Sequence, residues 1–157
     1  MNFSLDQALS GNAEDYVNDP SLEAAWAIRC YENARLHMSL ICSCNPKYLK
    51  LSENDDVLYE KFRSVFPKLN VGLVDETDLK SNTAKDTWRE FLEVNANLVE
   101  DHNSGFLLRL DSKGNYDSEN TILVVKLQFL AIEVARNREG NNETLRKQFS
   151  HKDIPPE

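Results

Sequence analysis

Apolar residues recur at steps of three and four between positions 20 and 44, where Ala24, Ala27, Tyr31, Ala34, Met38 and Ile41 form one stripe. That period predicts a helix. Asp19-Pro20-Ser21 opens it with Glu23 in the first turn, Trp26 flanks the stripe, and Asn45-Pro46 stops it near Cys44. Lys47 to Leu51 reads as a short extended link. Ser52 then caps a second helix, with Asp55 and Asp56 in its acidic first turn and Pro67 at its end. Its apolar face is Val57, Leu58, Phe62, Val65 and Phe66. Leu69 to Val74 fits extended chain or loop. Asp75 to Leu79 reads as a short helix. A longer one starts at Asn82 or Thr83, turns Trp88, Phe91, Leu92, Asn95, Leu98 and Val99 inward, and breaks at Gly105.

The period changes in the last third. Phe106 to Leu110 and Thr121 to Val125 are short apolar runs around the turn-forming stretch Asp111-Ser112-Lys113-Gly114-Asn115, a pattern that predicts a β-hairpin. From Lys126 the helical period returns through Leu127, Leu130, Ala131, Val134 and Ala135, and Gly140 ends it. The expected fold is therefore α+β, with four to five helices packed with a small antiparallel β-hairpin. Residues 1–20 read as a flexible acidic segment, 21–147 as a single α+β domain and 148–157 as a disordered tail.

A chain of 157 residues suits one domain. It carries 26 acidic and 18 basic side chains, a net charge of −8, which disfavours nucleic acid and anionic membranes as partners. The first residues lack the basic start and apolar run of a secretory signal, and no stretch is apolar enough to span a bilayer. The expected location is cytoplasmic or nuclear. Charge is uneven: residues 126–152 hold six basic and three acidic side chains. Either a solvated helix end or a local basic patch accounts for that.

Candidate chemistry is sparse. Five glycines, Gly11, Gly72, Gly105, Gly114 and Gly140, build no phosphate-cradling loop. Cys30, His37 and Cys44 share a helix face, but seven residues rise about 10 Å, too far for ligands of one zinc ion. The spacing also keeps either thiol from a direct hydrogen bond to His37. Asp111 to Asn120 has the oxygen ligands of a calcium loop, but Tyr116 stands where the sixth position needs glycine. The reading is a protein without catalytic residues, metal or cofactor.

Three stretches carry a family resemblance: Asn103-Ser104-Gly105-Phe106-Leu107-Leu108-Arg109-Leu110-Asp111, Glu119-Asn120-Thr121-Ile122, and Gln128 through Ala135 into Arg136-Asn137-Arg138-Glu139-Gly140. Upstream, Tyr16-Val17-Asn18, Trp26, Leu49-Lys50-Leu51-Ser52, Asp55-Asp56, Tyr59, Leu79-Lys80-Ser81 and Trp88 agree with it. The chain resembles the polysaccharide biosynthesis domain-containing protein 1 family, small eukaryotic proteins, over roughly residues 14–142. It departs where that family has Asn-Tyr-Gly-Thr, and it lacks the long acidic, lysine-rich tail of some relatives. The resemblance implies a monomeric, ATP-independent chaperone, near the ribosome, for newly made translation elongation factor 1-alpha. The family name implies the alternative, an enzyme or accessory factor of methyl or glycosyl transfer in polysaccharide biosynthesis.

Arg109, Asp111, Arg136, Asn137 and Arg138 fall within these segments and are not explained by apolar packing. They are the candidate partner-binding residues. Two arrangements stay open: a polar surface beside the hairpin, or a structural network in which Arg136 or Arg138 pairs with Glu133 or Asp111.

Overall fold

The computed structural model describes residues 20–145, with side chains from residue 23 onward. The flexible acidic segment and the disordered tail expected from the sequence lie outside the described residues, apart from Pro20. The elements in order are α1 (Pro20–Ser43), a 3-10 turn (Pro46–Tyr48), α2 (Asp55–Val65), α3 (Thr77–Lys80), α4 (Asn82–Val94), a second 3-10 turn (Ala96–Leu98), β1 (Gly105–Arg109), β2 (Thr121–Val125) and α5 (Lys126–Glu139). This is the expected α+β arrangement.

The two strands pair antiparallel, with Gly105 opposite Val125, Leu107 opposite Leu123 and Arg109 opposite Thr121. Alternation then sends Phe106, Leu108, Ile122 and Val124 toward the main core. The ambiguous stretch before α3 is extended: Leu73 bridges Asp111, and Val74 N–H donates to the Leu110 carbonyl at 2.8 Å. It lengthens the edge of the hairpin and buries Val71 and Val74.

α5 runs through the centre of the domain. Eleven consecutive residues, Leu127 to Asn137, are buried, so it has no solvent face over that span. Gly140 ends it in the left-handed region at φ 86°, where a side chain is disfavoured. α2 and α4 cover one side of the core through an aromatic cluster in which Phe66 stacks on Trp88 at 4.2 Å between ring centroids. α1 crosses β1 on the other side of the hairpin.

Five sequence expectations are corrected. The Lys47–Leu51 link opens in a 3-10 turn, because the Asn45 side chain caps it by accepting from the Lys47 N–H. Asn54, not Ser52, is the N-cap of α2, because the Ser52 N–H and hydroxyl donate to the Asp55 carboxylate. On α1 the buried stripe is Cys30, Ala34, His37, Met38 and Ile41, while Ala24, Ala27 and Tyr31 are exposed. A 24-residue helix spans roughly 36 Å, about twice the reach of a five-residue strand. The hairpin therefore covers only part of its length, and α1 meets β1 through Trp26 and Cys30 on Gly105, with Ala24, Ala27 and Tyr31 left exposed. On α2 the face narrows to Leu58 and Phe62, with Phe66 just past its end also packed on the core, leaving Val57 and Val65 exposed. The long helix expected up to Gly105 stops at Val94, because the Asn95 amide donates to the Phe91 carbonyl at 2.8 Å and caps the end.

Candidate functional site

A single carboxylate, Glu133 of α5, organises the polar interior. It is fully buried, and Arg136, one turn on, is buried with it. Arg136 Nη1 donates to Glu133 Oε2 at 2.9 Å, and Arg109 Nη2 at the end of β1 lies 3.3 Å from the same oxygen. Asn142, past the end of α5, donates from Nδ2 to Glu133 Oε1 at 3.1 Å and accepts from Arg109 Nη2 at 3.0 Å. Both guanidinium groups also staple backbone. Arg136 donates to the carbonyls of Val71 at 2.6 Å and Arg109 at 2.6 Å, and Arg109 donates to that of Ser112 at 2.7 Å. The network thus ties α5 to the hairpin, its loop and the stretch before α3.

His37 brings α1 into the same network. Its Nε2 lies 3.7 Å from Glu133 Oε1, and its Nδ1 lies 2.7 Å from the Tyr116 hydroxyl. A proton on Nε2 faces the carboxylate and leaves Nδ1 to accept from Tyr116. Phe129 meets the imidazole edge-on at 5.0 Å, and Tyr116 lies against the Arg109 guanidinium.

Burial sets the charge states. It pulls the His37 imidazole down to about 4, so the ring is neutral at pH 7, and it pushes the Tyr116 phenol up. Burial alone would raise the Glu133 carboxyl too; the charge of Arg136 foremost, with Arg109 and the Asn142 amide, holds it well below the usual carboxylate range. Glu133 is therefore an anion clamped between two cations.

Of the five residues singled out from the sequence, three are inside. Arg109 and Arg136 are fully buried and Asn137 is 2% exposed, and of the two arrangements the sequence left open, Arg136 takes the structural network through its pair with Glu133. The physical reason is Glu133: it supplies the charge that lets two guanidinium groups leave water. Asp111 is half-buried, with its backbone N–H held by the Asn120 carboxamide at 2.9 Å. Arg138 emerges on the far side of α5, paired with Asp56 of α2 and lying over the Tyr59 ring. Of the basic residues between 126 and 152, Arg136 is buried and Arg138 lies at the surface, while 146–152 lie outside the described residues. Tyr116 and Asn142 had no sequence signal. Glu133 had one: it interrupts the apolar run Phe129-Leu130-Ala131-Ile132 and Val134-Ala135, where only a paired acid is tolerated.

Asn137 and Arg138 border an open pocket of about 300 Å³ between α5, the Pro46–Tyr48 turn and the start of α2. Lys47, Lys50, Glu53 and Asp56 also contribute to its walls. Among the described residues no group of three or more His, Cys, Asp or Glu side chains is placed to hold a metal ion. No described helix is long and apolar enough to cross a membrane.

Comparison with known proteins gives this arrangement a family. The model of the PBDC1 protein family matches residues 22–147, which takes in every element from α1 to α5 except the first residues of α1. The mouse protein PBDC1 is 47% identical over 143 residues, covering 91% of this chain and 72% of its own length. The human protein PBDC1 is 46% identical over 142 residues, and there the chain spans only 61% of the relative. The fission yeast homologue, from Schizosaccharomyces pombe, is 36% identical over 140 residues and is covered over 95% of its length. The solution NMR structure of protein yst0336 from Saccharomyces cerevisiae superposes with a TM-score of 0.77 at 35% identity, covering 89% of this chain and 99% of that one. On sequence and fold alike, the chain belongs to the PBDC1 family.

Proposed function

We propose that the chain is a non-enzymatic binding protein that shields newly made translation elongation factor 1-alpha, the role its family resemblance implies. One observation carries the preference for binding over catalysis. The groups best suited to acid–base or anion chemistry, Glu133, Arg109, Arg136 and His37, are between 0% and 5% exposed and are bonded to one another and to backbone. A catalytic group has to reach substrate; these hold the fold. What remains open to a partner is contact surface. Ile28, Leu36 and Leu40 lie exposed along one side of α1 at helical spacing, and the pocket beside Arg138 opens across the far side of α5.

The test has two arms. Crosslinked pull-down from cells making protein should recover nascent elongation factor 1-alpha as the dominant client. Adding S-adenosylmethionine or nucleotide sugars should leave the melting temperature unchanged. A bound donor at 100 times its dissociation constant would add ~2.7 kcal/mol. A clear shift, or the absence of a dominant client, would overturn the proposal.

A further inference from the structure

The hairpin leaves one backbone edge open. Leu110 N–H donates to the Asn120 carbonyl at 2.8 Å and Lys126 N–H to the Ser104 carbonyl at 2.7 Å, one at each end of the ladder. In an antiparallel pair, residues that exchange such bonds alternate with residues that do not. The register therefore turns the N–H and C=O groups of Ile122 and Val124 toward β1, and those of Thr121, Leu123 and Val125 away from it. The N–H groups of these three donate to no acceptor among the described residues. The other side of the hairpin differs: past the end of β1, Leu73 and Val74 pair with the chain.

Nothing in β2 guards its edge. Exposed sheet edges are commonly blunted by a lysine, a proline or a bulge. Thr121-Ile122-Leu123-Val124-Val125 has no charge and no proline, and its pairing with β1 has no bulge. α1 packs on β1, while Leu123, across from Leu107, stays 45% exposed. Outward amides at every second residue recur about 6.8 Å apart. A single anion or sugar meets one of them, whereas an extended backbone meets all three.

The flanks say which extended segment fits. Asp117 and Glu119, both exposed, lead into β2. At its other end Lys126 Nζ donates to the Glu100 carbonyl at 3.0 Å and Leu127 N–H to the His102 carbonyl at 2.9 Å, which brings the exposed Glu100 and Asp101 beside the strand end. Four acids thus stand against one cation, Lys126. A second copy, itself carrying a net charge of −8, would set acid on acid across the shared edge. The complement is an apolar segment with basic residues at its ends. Chains that have not finished folding expose such segments before their own sheets form.

We propose that the open edge of β2 takes an extended, apolar, basic-flanked segment of an incompletely folded partner as a third strand. The proposal rests on the binding reading above and names the surface and the kind of segment it would hold.

The probe is a dye-labelled nonapeptide of alternating valine and threonine with lysine at both ends, titrated into the full chain by fluorescence polarisation. It should bind saturably and slow amide hydrogen exchange at Thr121, Leu123 and Val125. Glutamate in place of the lysines should weaken it at least about tenfold. Methylating alternate amide nitrogens leaves the peptide one good edge and should preserve binding; methylating all of them should abolish it. Leu123→Pro removes an outward N–H without touching the ladder to β1, a place where an edge strand tolerates proline, and should bind at least about tenfold more weakly. Leu123→Lys keeps the backbone, sets a cation against the lysine-ended probe, and covers the case in which proline disturbs the strand. No saturable binding, equal binding of the glutamate-ended peptide, or unchanged binding to both variants would overturn the proposal. So would a wild-type dimer in sedimentation that Leu123→Lys splits, since a second copy would then hold the edge. Capture of elongation factor 1-alpha by folded Leu123→Pro as well as by wild type would sink the edge and leave the binding role; peptide binding without that client would sink the role and leave the edge.

Discussion

Glu133 decides whether the interior is stable. Removing its charge leaves Arg109 and Arg136 buried side by side without an anion. Glu133→Gln should therefore cost about 3–5 kcal/mol in urea unfolding. Arg136→Ala should cost a similar amount, because it also frees the carbonyls of Val71, Arg109 and Leu110 inside the domain. Arg138→Ala, whose partner Asp56 is 86% exposed, should stay within about 1 kcal/mol. Equal losses at Arg136 and Arg138 would contradict the division between core and surface. His37 adds a pH dependence. Unfolded, the imidazole takes up a proton near pH 6.5; folded, it does so only near pH 4. The unfolded state binds more protons between those values, so stability is full above pH 6.5 and falls as the solution is acidified toward pH 4, by about 3 kcal/mol. His37→Gln should flatten that slope, and an unchanged slope would remove His37 as its source.

At the scale of elements, α1 is held to the hairpin by close approach. A Cβ added at Gly105 would lie 2.9 Å from the Trp26 ring, and Cys30 Sγ donates to the Gly105 carbonyl at 3.5 Å. Gly105→Ala should destabilise by about 1–3 kcal/mol through overpacking. Trp26→Ala in the same chain should recover part of that loss, a non-additivity that a double-mutant cycle measures. Purely additive effects would show that the contact does not limit the packing of α1 on β1. These two residues also show what the sequence makes legible. Gly105 reads as a breaker between helix and strand, which it is, but its reason is an aromatic side chain 79 positions away. The helices and hairpin follow from period and turn chemistry. The exposure of Ala24 and Ala27 does not, because alanine looks the same on a helix face that meets a neighbour as on one that meets none. The full burial of α5 is equally hidden: Arg136 and Arg138 are two positions apart and chemically alike, and only Glu133, three residues before Arg136, makes one an interior residue.

For the whole molecule the relevant quantity is the net charge of −8 on 157 residues. Its candidate contact regions carry no strong net charge: on α1 the exposed Arg29 and Glu32 offset each other beside Ile28 and Leu36, and the pocket beside Arg138, walled in part by the exposed Tyr48, has Lys47, Lys50 and Arg138 against Glu53, Asp55 and Asp56. Charge and contact are therefore separated. Under the proposed binding role, long-range attraction of a basic client would come from the acidic body and short-range selection from the contact regions, so encounter rate and lifetime should respond to different perturbations. Salt shortens the screening length from roughly 14 Å near 50 mM to a few ångströms near 1 M, which weakens steering without touching close contacts. For a basic client, stopped-flow association should slow steeply over that range while dissociation changes little. Tyr48→Ala should do the reverse, speeding dissociation with little effect on association. A client whose association ignores salt would show that the acidic body serves solubility and not capture. A Tyr48→Ala variant that slows association alone would mean that Tyr48 guides approach and makes no lasting contact.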